Sequence, residues 1–139
     1  MPKSSENKKK LNEKSSISFK SDFMRDLTFI LEHYKEAGIP DFQSISFVLH
    51  PKKRNRGVPF EEEEIWTLEL ETRASHVLGQ HKINTMKDLM DAWIMLPAFR
   101  AAGRKTVQEI KLKLISRYYD MLNFKEREEF WKDTLQTLR

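Results

Sequence analysis

The stretch Leu68 to Leu114, LELETRASHVLGQHKINTMKDLMDAWIMLPAFRAAGRKTVQEIKLKL, constrains the fold most. It repeats one design twice: a helix, a short turn, and a second helix. The first turn lies near His81-Lys82-Ile83-Asn84-Thr85 and the second at Ala101-Ala102-Gly103-Arg104-Lys105-Thr106. In the second, a glycine opens a helix whose first residues are Arg, Lys and Thr. Glycine admits close approach of a ligand to the backbone. A helix N-terminus offers unpaired N–H groups and partial positive charge. Two cations and a hydroxyl beside them make a phosphate-binding arrangement.

Periodicity predicts the elements of this core. A first helix runs from Thr72 to Gln80 with Ala74, Val77 and Leu78 inward. Thr85 caps a second helix, with Asp88 three residues on as a capping box. Leu89, Trp93 and Ile94 carry the apolar face onward, with Met90 beside it, and Pro97 breaks or kinks the backbone before the second turn. Arg104 to Tyr119 forms the next helix, with Val107, Ile110, Leu114 and Tyr118 at helical spacing.

These residues carry a resemblance. Leu68-Glu69-Leu70 with Arg73 and Leu78, then Ile83-Asn84-Thr85 with Asp88-Leu89, then Phe99 to Thr106 with Glu109-Ile110-Lys111 and Leu114, resemble the C-terminal domain of the bacterial RNA polymerase alpha subunit. That family reads LELSVRxxNxL, INTxxDL and [IR]xNxGKKSxxEIKxxL. The resemblance implies an all-α fold, a compact helix-hairpin-helix core. It implies a partner, double-stranded DNA met in its A·T-rich minor groove, with RNA polymerase or a transcription factor as further partners. It also implies that Arg73 contacts DNA. The sequence departs from the pattern at Glu71 (Ser in the family, with Thr72 as the substitute cap), at His76 and at Ala101 (both Asn in the family). The segment between Thr85 and Gly103 is about two residues shorter.

The flanks lie outside the resemblance. Residues 1–18 are Lys, Ser, Asn and Glu with almost no apolar side chain, and are expected to be a disordered tail. Residues 19–50 are expected to hold an N-terminal helix and connector. Phe19, Phe23, Leu27, Ile30, Leu31 and Tyr34 make one stripe, Ser21-Asp22 stand at its start, and Gly38 and Pro40 stop it. Phe42 to His50 fits a strand or a short helix. Residues 51–64 are expected as a charged linker, with the basic run Lys52, Lys53, Arg54 and Arg56 suited to non-specific phosphate contacts. The acids Glu61 to Glu64, which must face away from any bound duplex, fit the first turn of a helix at Ile65-Trp66, a neutralising partner for the basic run, or an activator-contact face. The hairpin domain spans 65–122. A C-terminal helix follows over 123–139, capped by Asn123 with Glu126, its apolar residues Phe124, Phe130, Trp131, Leu135 and Leu138. Both flanking helices are expected to pack on the core or on each other.

The 139 residues carry a formal net charge of +4 with no cysteine. That balance permits nucleic-acid binding without requiring it, and it leaves no disulfide or thiolate metal site. His33, His50, His76 and His81 lack metal-pair spacing, so neither a metal nor a cofactor is expected. No nucleotide-binding loop or nucleophile elbow is present, so no enzyme is expected either. No apolar run reaches the roughly 18 residues of a membrane span, and a cytoplasmic, nucleoid-associated protein is expected.

Two functions compete. In one, Arg73, His76, Gly103, Arg104, Lys105 and Thr106 bind DNA for transcription. In the other, the fold serves as a protein-interaction module that binds a transcription factor or polymerase without DNA affinity. An accessory role in DNA repair or recombination is a weaker third.

Overall fold

The computed structural model describes residues 20–33, 45–55 and 57–136. Five α-helices carry the fold: α1 (Asp22–His33), α2 (Thr72–Gln80), α3 (Met86–Asp91), α4 (Arg104–Asp120) and α5 (Phe124–Gln136). Three short 3-10 helices connect them, at Phe60–Glu62, Ile65–Leu68 and Trp93–Ala98. A two-stranded antiparallel ladder pairs β1 (Arg54–Asn55) with β2 (Val58–Pro59), turning at Gly57 with φ +84°. Two residues per strand do not alter the all-α class.

Local chemistry explains most boundaries. Ser21 Oγ accepts from Met24 N–H at 3.0 Å and starts α1. Thr85 Oγ1 accepts from Asp88 N–H at 3.1 Å while Asp88 Oδ2 accepts from Thr85 N–H at 3.2 Å, completing the expected capping box of α3. Asn123 and Glu126 exchange the same pair of bonds at 2.8 and 2.9 Å ahead of α5. The end of α2 is a Schellman closure. Ile83 N–H returns to Leu78 C=O at 3.0 Å and Lys82 N–H to Gly79 C=O at 3.1 Å, with Lys82 at φ +56°. Leu78 and Ile83, the apolar pair of that motif, are both buried.

The helix α4 is the axis of the core. Ile110, Leu114, Ile115, Tyr118 and Tyr119 are each at most 2% exposed. The flanking helices meet on it. Phe23 of α1 stacks on Trp131 of α5 at 5.8 Å and packs edge-on against Phe47, Tyr119 and Phe130. The Tyr119 hydroxyl donates to Asp26 Oδ2 at 2.6 Å and accepts from Trp131 Nε1 at 2.9 Å. Arg127 Nη1 pairs with Asp22 at 2.9 Å and its guanidinium lies 4.5 Å from the Tyr119 ring centre. The two flanking helices therefore pack within the molecule.

Several expectations are corrected. Residues 45–50 are neither strand nor helix. They run as irregular backbone held by Val48 N–H on Thr134 Oγ1 at 3.2 Å and His50 N–H on the Tyr118 hydroxyl at 3.1 Å. The expected charged linker is anchored in the core at Phe60, which is fully buried and meets Tyr118 edge-on at 5.4 Å. The acids do not form one helical turn: Glu61 and Glu62 end one 3-10 helix, Glu63 and Glu64 are extended before the next, and Glu63 pairs with Arg117 at 2.6 Å. Ile94 is 89% exposed and Phe124 80% exposed. The 3-10 winding of 93–98 and the position of Phe124 at the first turn of α5 turn both outward. The tail 1–18, Phe19, Tyr34 to Ser44, Arg56 and Leu138 lie outside the described residues.

Two outcomes follow. Phe23→Ala is expected to cost about 3–5 kcal/mol, seen as a lower urea midpoint with one transition for the whole protein. Burial and the bond to Asp26 push the Tyr119 phenol well above its ordinary value of 10. A raised acid is protonated in the fold at pH values where the unfolded protein ionises it. Its stabilising effect is complete below pH 10 and is lost as pH rises beyond it. Urea titrations from pH 9 to 11.5 should show a steeper alkaline loss in wild type than in Tyr119→Phe.

Candidate nucleic-acid interface

Two contacts set the hairpins against each other. At one end, Glu109 Oε2 accepts the Glu71 N–H at 2.7 Å. At the other, the His81 ring stacks on Phe99 at 3.7 Å. Together they tie the start of α2 to α4 and the end of α2 to the residue after the 93–98 connector. The first contact also corrects an expectation: Thr72 is the first helical residue, not the cap, and Glu71 at the cap position makes no side-chain bond to the helix. The buried carboxylate of Glu109, from a distant helix, serves that N-terminus. Lys113 balances it at 3.3 Å and donates to Glu69 C=O at 2.8 Å.

The second turn is strained at an unexpected residue. Ala102 N–H bonds to Phe99 C=O at 3.0 Å, and Ala101 sits inside this turn at φ +67°. The left-handed region costs an alanine roughly 1–2 kcal/mol. An asparagine tolerates it better, which gives a conformational reason for the Asn of the resembling family. Gly103 is ordinary by comparison. Its φ of −70° and ψ of 171° suit any residue, and a Cβ built there would meet nothing within 4 Å. Neither torsion nor packing among the described residues requires a glycine at this helix start.

The predicted site residues divide. Arg73, Arg104 and Lys105 are exposed and make no ion pair among the described residues. His76 is exposed, with its Nε2 at 3.1 Å from the Gln80 amide nitrogen. Thr106 is only 8% exposed, so its hydroxyl does not stand at the surface beside the two cations as expected. Its position in the first turn of α4 points it towards the core. In the basic run, Lys52 is exposed, but Lys53 forms an ion pair with Glu126 of α5 and is not a free cation. Arg54 donates to Gly57 C=O at 2.6 Å across its own hairpin. Sequence reading missed Glu109, whose only signal was its place in the EIK triplet. No group of three or more potential metal ligands occurs among the described residues, and no described helix is long and apolar enough to cross a membrane.

The turn geometry gives a paired stability test. Ala101→Gly should raise stability by about 1 kcal/mol, because glycine enters the left-handed region freely. Gly103→Ser should leave stability unchanged or raise it by a few tenths of a kcal/mol through a new cap. Thermal melts of the two variants beside wild type decide both.

Comparison with known proteins gives one family match. Residues 52–116 match the family model of the bacterial RNA polymerase alpha subunit's C-terminal domain. No curated protein and no solved structure matches the sequence. The match begins at Lys52, ahead of the first hairpin helix, and so takes in the β1–β2 ladder and the buried Phe60. It ends inside α4, leaving α1 and α5 outside the matched segment. Residues 52–116, just under half of the chain, are thus similar to the bacterial RNA polymerase alpha C-terminal domain, which supports a transcription-associated, DNA-binding-like domain.

Proposed function

We propose that this protein binds double-stranded DNA in transcription through the paired hairpin turns. The backbone N–H groups at the start of α4 take one phosphate, and Arg104 and Lys105 add charge beside it. Arg73, on the adjoining α2, reaches an A·T-rich minor groove, whose narrow walls concentrate negative potential and attract an inserted guanidinium. His76, one turn further along α2, adds a phosphate contact when it releases Gln80. Thr106 contributes by holding the turn from inside. Lys52 and Arg54 extend the positive surface.

The observation that carries this reading is Gly103. No torsion or packing demand of the described fold explains a glycine there, whereas close approach of an external phosphate to the backbone does. The exposed cations on either side have no carboxylate partner among the described residues, and phosphate oxygens would complete their pairing.

Fluorescence anisotropy on A·T-rich and G·C-rich duplexes at two salt concentrations tests it. Wild type should prefer the A·T duplex and weaken as salt rises. Arg73→Ala and Lys105→Ala should each weaken binding roughly tenfold, and Lys105→Ala should lower the salt slope by about 1. Gly103→Ser should weaken binding while its melting curve stays intact. Variants that bind as wild type does would remove these residues from the interface.

The protein-interaction reading has its own observation. Ile94 and Met95 present apolar surface at 89% and 57% exposure on the connector between the hairpins. Retention of a transcription protein, together with no affinity for either duplex, would favour it. The acidic run supports it less, since Glu63 is spent on Arg117 and Glu64 accepts the Trp66 indole N–H.

A further inference from the structure

A cleft of about 920 Å³ lies between residues 45–51, the 93–98 connector and α4. Its walls are apolar, including Phe47, Leu49, Met90, Trp93 and Leu114. Arg104 and Lys111 also line it, seven residues apart on α4 and therefore on one helical face. Among the described residues, none that lines it is acidic. The Lys111 ammonium lies 5.2 Å from the Trp93 ring centre and has no carboxylate partner among the described residues. Its burial holds its pKa below the ordinary lysine value, with no neighbouring anion to oppose that shift. A partly buried cation beside open apolar walls is a costly arrangement for an empty cleft. Ile94, almost wholly exposed at the rim, adds apolar surface that the fold itself leaves in water.

We propose that this cleft binds a small amphipathic anion, a medium-length hydrocarbon body ending in one carboxylate. The volume and the two cations among mostly apolar walls suit such a ligand. The hydrocarbon would cover Trp93, Ile94 and Leu49, and the carboxylate would take charge-assisted bonds from Lys111 and Arg104. Part of the wall, residues 45–51, precedes the segment matched to the polymerase family, so the N-terminal flank helps to build the site. The cleft shares Arg104 with the proposed DNA interface, but Lys111 has no part in that interface, so Lys111 variants test the cleft separately.

Isothermal titration calorimetry of the whole protein with decanoate, decanol and butyrate tests it, without DNA present. Decanoate should bind saturably at one site. Decanol, lacking the charge, and butyrate, lacking the length, should each bind at least about tenfold more weakly. Lys111→Met, which keeps the stem and removes the charge, should weaken decanoate binding about tenfold, and Lys111→Arg should restore it. Absence of saturable decanoate binding overturns the proposal. So does equal affinity for decanoate and decanol, a property of the wild-type protein that needs no variant to fold. If decanoate fails while a short peptide alternating Asp and Leu binds saturably, the cleft is a protein-docking groove instead.

Discussion

The hydroxyls of Tyr118 and Tyr119 hold together parts of the molecule that no local signal would join. Adjacent residues on a helix point about 100° apart, so the two phenols leave α4 in different directions. One accepts the His50 N–H and the other bridges Asp26 and Trp131. A buried polar group without a partner costs about 1–3 kcal/mol, and here each hydroxyl finds partners only when the flanking segments are in place. The aromatic cluster around Phe23 then closes over them. Asp26 shows the same balance: its burial favours the protonated form, but the bonds from Tyr119 and Arg25 outweigh this and hold its carboxyl below the usual range. The hairpin domain thus sits on a support built by its own last helix.

Cations in this protein serve two ends. Lys53, Arg117 and Arg127 are committed to carboxylates on other elements. Among the described residues, Arg73, Arg104 and Lys105 are not. Net charge says little about such a molecule, because the internal pairs cancel locally while the other three cations stay exposed. A modest +4 is compatible with a strongly polarised surface.

Much of the fold was legible in the residues because its signals are local. Capping pairs such as Thr85 with Asp88, and Asn123 with Glu126, need only three residues of context, and the inward positions of α2 and α4 follow helical period. What escaped depends on partners distant in sequence. Nothing near Lys53 points to Glu126, and nothing near Glu71 points to Glu109. Phe60 reads as one aromatic in a charged stretch until Tyr118 is beside it. Periodicity also overreached at Ile94 and Phe124, where a connector with tighter winding and a helix start change the facing direction. For the candidate site, the turn and its cations could be named from order and spacing. The burial of Thr106 could not, since it follows from how α4 meets the core. Nor could the strain at Ala101, which is a property of backbone torsion.

The stack of Phe23 on Trp131 has a consequence for how the protein is made. The bonds that seat α1 close spans of 93 residues to Tyr119 and 105 to Arg127. Closing such spans carries an entropic cost that local contacts avoid, and contacts of this separation slow folding. On the ribosome α1 emerges ahead of the hairpins, with Phe23 and Leu27 uncovered until α4 and then α5 follow. Apolar surface left uncovered during that interval is the kind that favours aggregation and chaperone binding.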